Sequence, residues 1–401
     1  MKPEFKEAIP VLEKLEEHGF QAFFVGGSVR DSLLNRTIDD VDIATNATPE
    51  QVQKIFDKTI PIGIEHGTVI IRYHHISYEV TTFRTESDYI DFRHPESVEF
   101  VKDIHEDLSR RDFTMNAIAM DKDGRLIDPY EGQIHMNEKR IETVRNADER
   151  FQEDPLRMMR ALRFVSQLGF HLGKEAEDAS FRNRHLLEKI AVERIAAEME
   201  KLWKAPYILK ALTIFHETDI WQSLPVFKQY HSLIQKCLSH ISSPFYSLAE
   251  AIACMHLFYP TVSIDDWCKR WKLSKAVKHR SYDLINGYQL YRVQGLTPET
   301  LYRLRPELFQ EFVHLVTVLT ENSQLTVREV ERAYHQLPIK NRNDLNINGH
   351  EMKRLYPDRK PGPWVREWLD EIERQVINGN LQNEKQTIME WVEQWNRREK
   401  N

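Results

Sequence analysis

Along the first 145 residues, apolar positions come in short runs and in alternation. QAFFVGG, TVIIRYHHISYEVTTF and AIAMDKDGRLIDP read as β-strands, separated by amphipathic stretches. Beyond that point the period changes. PLRMMRALRFVSQLGF, LLEKIAVERIAAEMEKLW, ELFQEFVHLVTVL and EWLDEIERQVING repeat their apolar residues every three or four positions, several stopped by Gly or Pro. The pattern predicts an α/β head with a mixed sheet over residues 1–145 and a long all-helical remainder with no internal repeat. Breaks within that remainder are marked by SSPFY near 244, VQGLTPE near 296 and LPIKNRND near 340.

Composition narrows the class. A chain of 401 residues suits two to four domains with cores of their own. Cys237, Cys254 and Cys268 lack disulfide or zinc spacing, which fits a reducing compartment. No apolar stretch approaches the roughly 18 residues of a membrane span, and the N-terminus is charged throughout, so the expected location is the cytoplasm. The formal net charge of −7 means that a nucleic-acid partner must meet a local basic face.

The candidate chemistry begins at FVGGSVRDSLLNRTIDDVDIAT, residues 24–45. Gly26 and Gly27 after a strand allow close approach of backbone to a ligand, and Ser28 with Asp31 reads as a capping box opening a helix, a phosphate seat. A tight turn explains the glycines equally well. Asp40 and Asp42 flank Val41 and in an extended strand share one face, the donor set Mg²⁺ takes when waters and substrate phosphates complete its shell. A solvated acidic turn is the alternative for such a pair taken alone.

In EDPLRMMRALRF, Asp154 and Arg157 stand three apart, as neighbours on one helix face do. Cytosine and adenine both offer an amino donor beside a ring-nitrogen acceptor; guanine and uracil offer the reverse. An Asp acceptor with an Arg donor would therefore admit C and A and leave G and U with unpaired partners. A helix cap by Asp154 ahead of Pro155 fits the same residues. Arg160 and Arg163 continue the stripe and suit phosphate oxygens. His66, His74 and His75 lie in strand-like stretches without ligand spacing, and the C-terminal Trp and Met residues sit at core spacing.

Taken in order, GGSVRDSLLNRTIDDVDIAT, EVTTFR, EDLSRRDFTMNAIAMD, IDPYEGQ and EDPLRMMRALRF resemble the signature of the class II template-independent tRNA nucleotidyltransferases, the CCA-adding enzymes, which share it with bacterial poly(A) polymerases. The resemblance is close over residues 20–165 and looser through DLNINGHEM, PGPWV and NGNLQNE. It implies a polymerase-β-like nucleotidyltransferase head at 1–145, then an elongated helical neck at 146–205, body at 206–295 and tail at 296–401. It also implies addition of CCA to the 3′ end of tRNA from CTP and ATP, with release of pyrophosphate.

By the same resemblance Asp40 and Asp42 are catalytic and bind Mg²⁺. Gly26, Gly27 and Arg30 form the phosphate turn, Glu79 is a further acidic residue, and Arg84 opens a flexible segment. Arg111, Asp112 and Asn116 touch the triphosphate or ribose; Asp154 and Arg157 choose the base, and Arg160 and Arg163 meet the triphosphate. Body and tail are expected to hold the acceptor and TΨC arms of tRNA, with Lys353, Arg354, Arg359, Lys360 and Arg366 around Trp364 as a backbone-binding patch; DNA is not an expected partner. A poly(A) polymerase, a CC-only or A-only enzyme, and a non-catalytic RNA-binding protein are the alternatives. QIHMN after Gly132 departs from the family pattern.

Overall fold

The computed structural model describes residues 1–64, 67–89, 95–320, 323–360 and 362–399, so His66 lies outside it. The chain forms two compact units, one of residues 1–244 with 270–272 and one of residues 245–269 with 273–401. The division falls inside the SSPFY break.

The first unit opens with α1 (Pro3–Glu17), whose Phe5, Ala8, Val11, Leu12 and Leu15 recur at helical spacing and are all buried. Then come β1 (Ala22–Val25), α2 (Gly27–Leu33), β2 (Asp42–Thr45), α3 (Pro49–Ile55), β3 (Thr59–Pro61), β4 (Thr68–Tyr73) and β5 (Ile76–Thr82). With β6 (Ala119–Met120) and β7 (Leu126–Ile127) these strands make a seven-stranded sheet in the order β3-β4-β5-β2-β1-β6-β7. Only β2 and β5 run parallel; the other neighbours are antiparallel, giving the mixed sheet expected from the pattern.

The register positions the chemistry. Val25 of β1 stands opposite Asp42, and Asp42 stands beside Glu79 of β5. Alternation along β5 sends Tyr78, Val80 and Thr82 into the protein and leaves Glu79 on the other face. Val25, Ala44, Phe83, Ile104, Leu108, Ala117, Ala119 and Val144 form a core beneath that face.

One expectation changes here. TVIIRYHHISYEVTTF is a hairpin, with Tyr73 paired to Ile76, and its histidines are the turn: His74 and His75 both take positive φ, 46° and 70°. A two-residue loop of that hand matches the twist of the flanking strands, which outweighs the strand preference of the surrounding residues. The segment that Arg84 opens is strand-paired where it is described. Residues Arg84–Tyr89 and Pro95–Phe100 pair as an antiparallel ribbon, with Arg84 opposite Phe100; the rest of the segment, 90–94, lies outside the described residues.

Helices complete this unit: α4 (Ile104–Ser109), α5 (Gly132–Asn137), α6 (Ala147–Glu153), α7 (Leu156–Leu168), α8 (Lys174–Asn183), α9 (Val192–Trp203) and α10 (Ile208–Glu217). α7 ends where Gly169 takes φ 71°, a left-handed cap that a β-carbon would strain. Its Ser166 hydroxyl donates to the Leu202 carbonyl at 2.7 Å, fastening α7 to α9. The QIHMN departure is accommodated as α5: a β-carbon on Gly132 would sit 2.4 Å from the Thr114 carbonyl, and His135 Nδ1 lies 2.9 Å from the Thr114 hydroxyl.

The described residues of the second unit form helices and no strand. Trp364, Trp368, Ile372, Val376, Ile388 and Val392 form one of its cores. Trp364 is therefore a core residue and not part of a surface patch: it is 7% exposed, its Nε1 donates to the Lys360 carbonyl at 2.9 Å, and Arg359 covers its ring. Lys353, Arg354, Arg359, Lys360 and Arg366 are exposed around it. All three cysteines are free and buried.

Candidate active site

A cleft of about 920 Å³ opens between the outer face of the sheet and helices α7 and α9. Its wall brings together Gly26, Gly27, Arg30, Asp42, Glu79, Arg84, Arg111, Asp112, Asn116, Asp154, Arg157, Arg160 and Arg163, which is every residue that the resemblance assigns to catalysis, metal or nucleotide except Asp40.

Between β1 and α2, Gly26 has φ 71° and ψ −136°. A β-carbon there would stand 3.1 Å from Arg111 Nη1 and 3.5 Å from Asp42 Oδ2, so glycine is required by backbone hand and by space. Ser28 is no cap: it lies inside α2 and its hydroxyl donates back to the Val25 carbonyl at 2.8 Å. Asp31, expected to complete that cap, instead takes a forked pair of bonds from Arg30 at 3.1 and 2.7 Å. Arg30 Nη1 also reaches the Asn116 side-chain oxygen at 2.7 Å.

Ladder pairing of β2 begins at Asp42; Asp40 precedes the strand and is exposed, with Val41 buried between them. The two are thus not successive outward residues of one paired strand, because the chain from Asn35 to Val41 is irregular. Their charges are nevertheless coupled. Burial, then Glu79, then Asp40 raise the pKa of Asp42 to about 6, against the pull of Arg111. Among the described residues no three carboxylate, imidazole or thiolate groups are arranged to hold a metal ion by themselves. The carboxylates of Asp42 and Glu79, side by side in the ladder with Asp40 just ahead of the strand, supply the hard oxygen chemistry that a divalent cation takes when waters and substrate oxygens complete its shell.

The opposite wall is basic, and Arg110, Arg111, Arg160 and Arg163 are each held by a carboxylate. Asp107, 1% exposed, takes Arg110 at 2.7 Å and Arg111 at 3.0 Å; burial raises its pKa, but the two guanidiniums outweigh this and keep it below the usual range. Asp112 takes Arg160 Nε at 2.8 Å and the Asn116 amide at 2.9 Å, and these with Arg157 overcome its burial and hold it far below the ordinary carboxylate value. Arg163 pairs with Glu198 at 2.8 Å and stacks on Phe164, 4.1 Å from the ring centroid; burial pushes it down to about 10.

Asp154 and Arg157 do not share a helix face. The residue before a proline is driven out of the α region, and Asp154 has φ −136° and ψ 97°, with α7 starting at Leu156. Asp154 accepts from the Leu156 N–H at 3.0 Å and from Arg194 at 3.3 Å. Arg157 is 6% exposed and donates to Glu153 at 2.8 Å and to the Arg150 carbonyl at 3.1 Å. Both still line the cleft.

The residues that fix the arginines were missed at the sequence level. Asp107 and Glu153 stood inside the quoted motifs, so their order carried a signal; Arg194, Glu198 and Lys201 sit on α9, and only the packing of α9 on α7 brings them in.

A sheet carrying acidic residues opposite a fixed basic wall is the arrangement of a nucleotidyltransferase. In agreement, the family model described as poly A polymerase head domain matches residues 22–142, that of a probable RNA and SrmB-binding site of polymerase A matches 169–230, and that of a putative tRNA nucleotidyltransferase domain 2 matches 247–392. The CCA-adding enzyme of Oceanobacillus iheyensis is 42% identical over 388 residues, covering 97% of this chain and 97% of that one; that of Anoxybacillus flavithermus is 42% identical over 406 residues, covering 100% of both. The crystal structure of the Bacillus stearothermophilus CCA-adding enzyme in complex with CTP superposes with a TM-score of 0.91 at 39% identity over 100% of both chains. The chain belongs to the CCA-adding enzyme family.

Proposed function

We propose that this chain adds cytidylate, cytidylate and adenylate to the 3′ end of tRNA from CTP and ATP, without a nucleic-acid template and with release of pyrophosphate. Its carrying observation is the single cleft in which Asp42 and Glu79 face Arg30, Arg111, Arg160 and Arg163. In our reading the head is 1–145, and 146–205, 206–295 and 296–401 are neck, body and tail, the last two gripping the acceptor and TΨC arms by shape. Cytoplasmic location fits a chain in which no helix of the described residues is long and apolar enough to cross a membrane.

Asp40 and Asp42, with Glu79, are the residues that would hold a divalent cation, for which we propose Mg²⁺. When bound, such an ion polarises the α-phosphate and neutralises charge on the leaving pyrophosphate. Arg30 and Arg111 beside the Gly26–Gly27 turn orient the triphosphate, with Arg84, Asp112 and Asn116 closing its surroundings. Arg160 and Arg163, already fixed by Asp112 and Glu198, present a prepaid cationic face to it. The 3′ oxygen of the RNA attacks the α-phosphorus in line; the new ester bond forms as the bond to pyrophosphate breaks, and the hydroxyl proton is lost to the Asp42–Glu79 pair.

We assign base choice to Asp154 and Arg157. Their fixed partners keep them from pairing with each other, so an acceptor and a donor stay on the cleft wall. Asp154→Asn should lower the ratio of kcat/KM for CTP over UTP about 10- to 100-fold, because an amide can donate to the uracil carbonyl. Steady-state rates with each triphosphate check this, and an unchanged ratio removes Asp154 from base selection.

The test of the function is incubation with Mg²⁺, labelled CTP and ATP, and tRNA transcripts ending before CCA, after CC and after CCA. CCA, A and nothing should be added, respectively. Long A tails would mean a poly(A) polymerase, CC-only or A-only addition a partial enzyme, and no incorporation a binding protein.

A further inference from the structure

Beside the active cleft lies a second groove of about 530 Å³, lined by Arg36, Gln167, Glu200, Lys201, Lys204 and Pro206 among others. Lys201 lines both cavities, is exposed, and makes no ion pair with any described residue. The groove therefore adjoins the cleft at this lysine. Arg36 and Lys204 add two more; their carboxylate neighbours are the half-buried Asp31 at 3.7 Å and the exposed Glu200 at 3.8 Å, long contacts that neutralise little of the charge, and Arg36 also donates to the Gln167 carbonyl at 3.3 Å.

Next to Pro206 stands Tyr207, 49% exposed. Three atoms of its ring, Cδ1, Cδ2 and Cε1, lie 3.0 Å from where a β-carbon on Gly169 would be. One face of the ring thus rests on a position that φ 71° reserves for glycine, and much of the remainder is open to solvent. Lys210, on the following turn, donates to the Gly169 carbonyl at 2.7 Å and fixes that support. A basic groove with a supported, half-exposed aromatic one residue beyond its Pro206 wall is a combination that suits single-stranded nucleic acid, cations along the phosphates and the ring under a base.

We propose that this groove carries the unpaired 3′ end of the acceptor RNA, with Lys201, Lys204 and Arg36 along its phosphates and Tyr207 stacked under one of its bases. It delivers the terminal 3′ hydroxyl past Lys201 toward Asp42. The proposal rests on the function above and adds the route by which the RNA reaches the cleft. Charge decides against an apolar partner, and the lysine shared with the cleft against an unrelated ligand.

The experiment uses the full chain and reads two quantities: equilibrium binding of a fluorescent tRNA transcript ending before CCA, over a range of salt, and KM for that RNA and for CTP separately. Lys204→Glu should weaken RNA binding about five- to tenfold and reduce the slope of log K against log salt by about 1. KM for CTP should not move. Tyr207→Ala should weaken binding roughly tenfold and Tyr207→Phe restore it, since stacking needs the ring and not the hydroxyl. Melting curves of each variant separate lost contact from lost fold.

Unchanged RNA binding and salt slope in folded Lys204→Glu would overturn the proposal, as would a changed inhibition by pyrophosphate with RNA binding intact, which would make the groove a product exit. Because binding is measured without turnover, weakened binding in a protein that adds no nucleotide would keep the groove and sink the catalytic function instead.

Discussion

Asp42→Asn should abolish nucleotide addition, a loss of about a thousandfold or more, and at the same time make the metal-free protein harder to melt. The activity falls because the carboxylate at the centre of the cleft is gone. Stability rises because that carboxylate is a liability in the free protein: burial, Glu79 and Asp40 lift its pKa from 3.8 to about 6. A carboxyl whose folded pKa is raised costs nothing below its unfolded value, where it is protonated in both states. The cost grows between pH 4 and 6 and is complete above pH 6, on the order of 2 to 3 kcal/mol. In EDTA, the melting temperature of the variant should therefore equal wild type near pH 4 and exceed it by roughly 5 °C or more above pH 6. A variant that is inactive but no more stable at neutral pH would mean that burial, Glu79 and Asp40 do not load this site.

Asp112→Ala should act in the opposite sense. Asp112 is 8% exposed and ties Arg160 to the Asn116 amide. Removing it leaves the part-buried Arg160 guanidinium with only the longer Glu198 contact at 4.0 Å and the Asn116 amide without its acceptor, at a cost of about 1 to 3 kcal/mol, and frees Arg160 to leave its position in the cleft. Its depressed pKa gives the pH dependence: the stability it contributes is present above about pH 4, the ordinary carboxylate value, and is lost only as pH falls through the lower folded value. Denaturant melts at pH 7 should show the large loss, and KM for CTP should rise as well. A destabilised variant with unchanged KM would make Asp112 a strut only.

Legibility in the sequence followed distance along the chain. The change from two-residue to three-and-a-half-residue periodicity placed the head and the helical remainder, because burial of one face imposes those periods directly. Asp42 and Glu79 were legible as acidic strand residues, although their adjacency required the parallel pairing of β2 with β5. Local geometry failed where a neighbour overrode it: Pro155 turned Asp154 off the helix, and the twist of a hairpin made a turn of His74 and His75. Long-range pairs were silent. Arg160 finds Asp112, and Arg194 finds Asp154, across 48 and 40 residues. No period in a single chain encodes such partners.

The grip of α6 and α7 on the head has a consequence for building hybrids. Arg150 donates to the main-chain oxygens of Arg110 and Arg111, and Arg157 to that of Arg110. Main-chain oxygens are the same whatever residue bears them, so this part of the junction accepts any head whose backbone follows the same course. Asp112 with Arg160 is the opposite kind of joint, a lock cut for one key. A head transplanted from a relative would dock through the former and align its nucleotide pocket only if both halves of the latter travelled together.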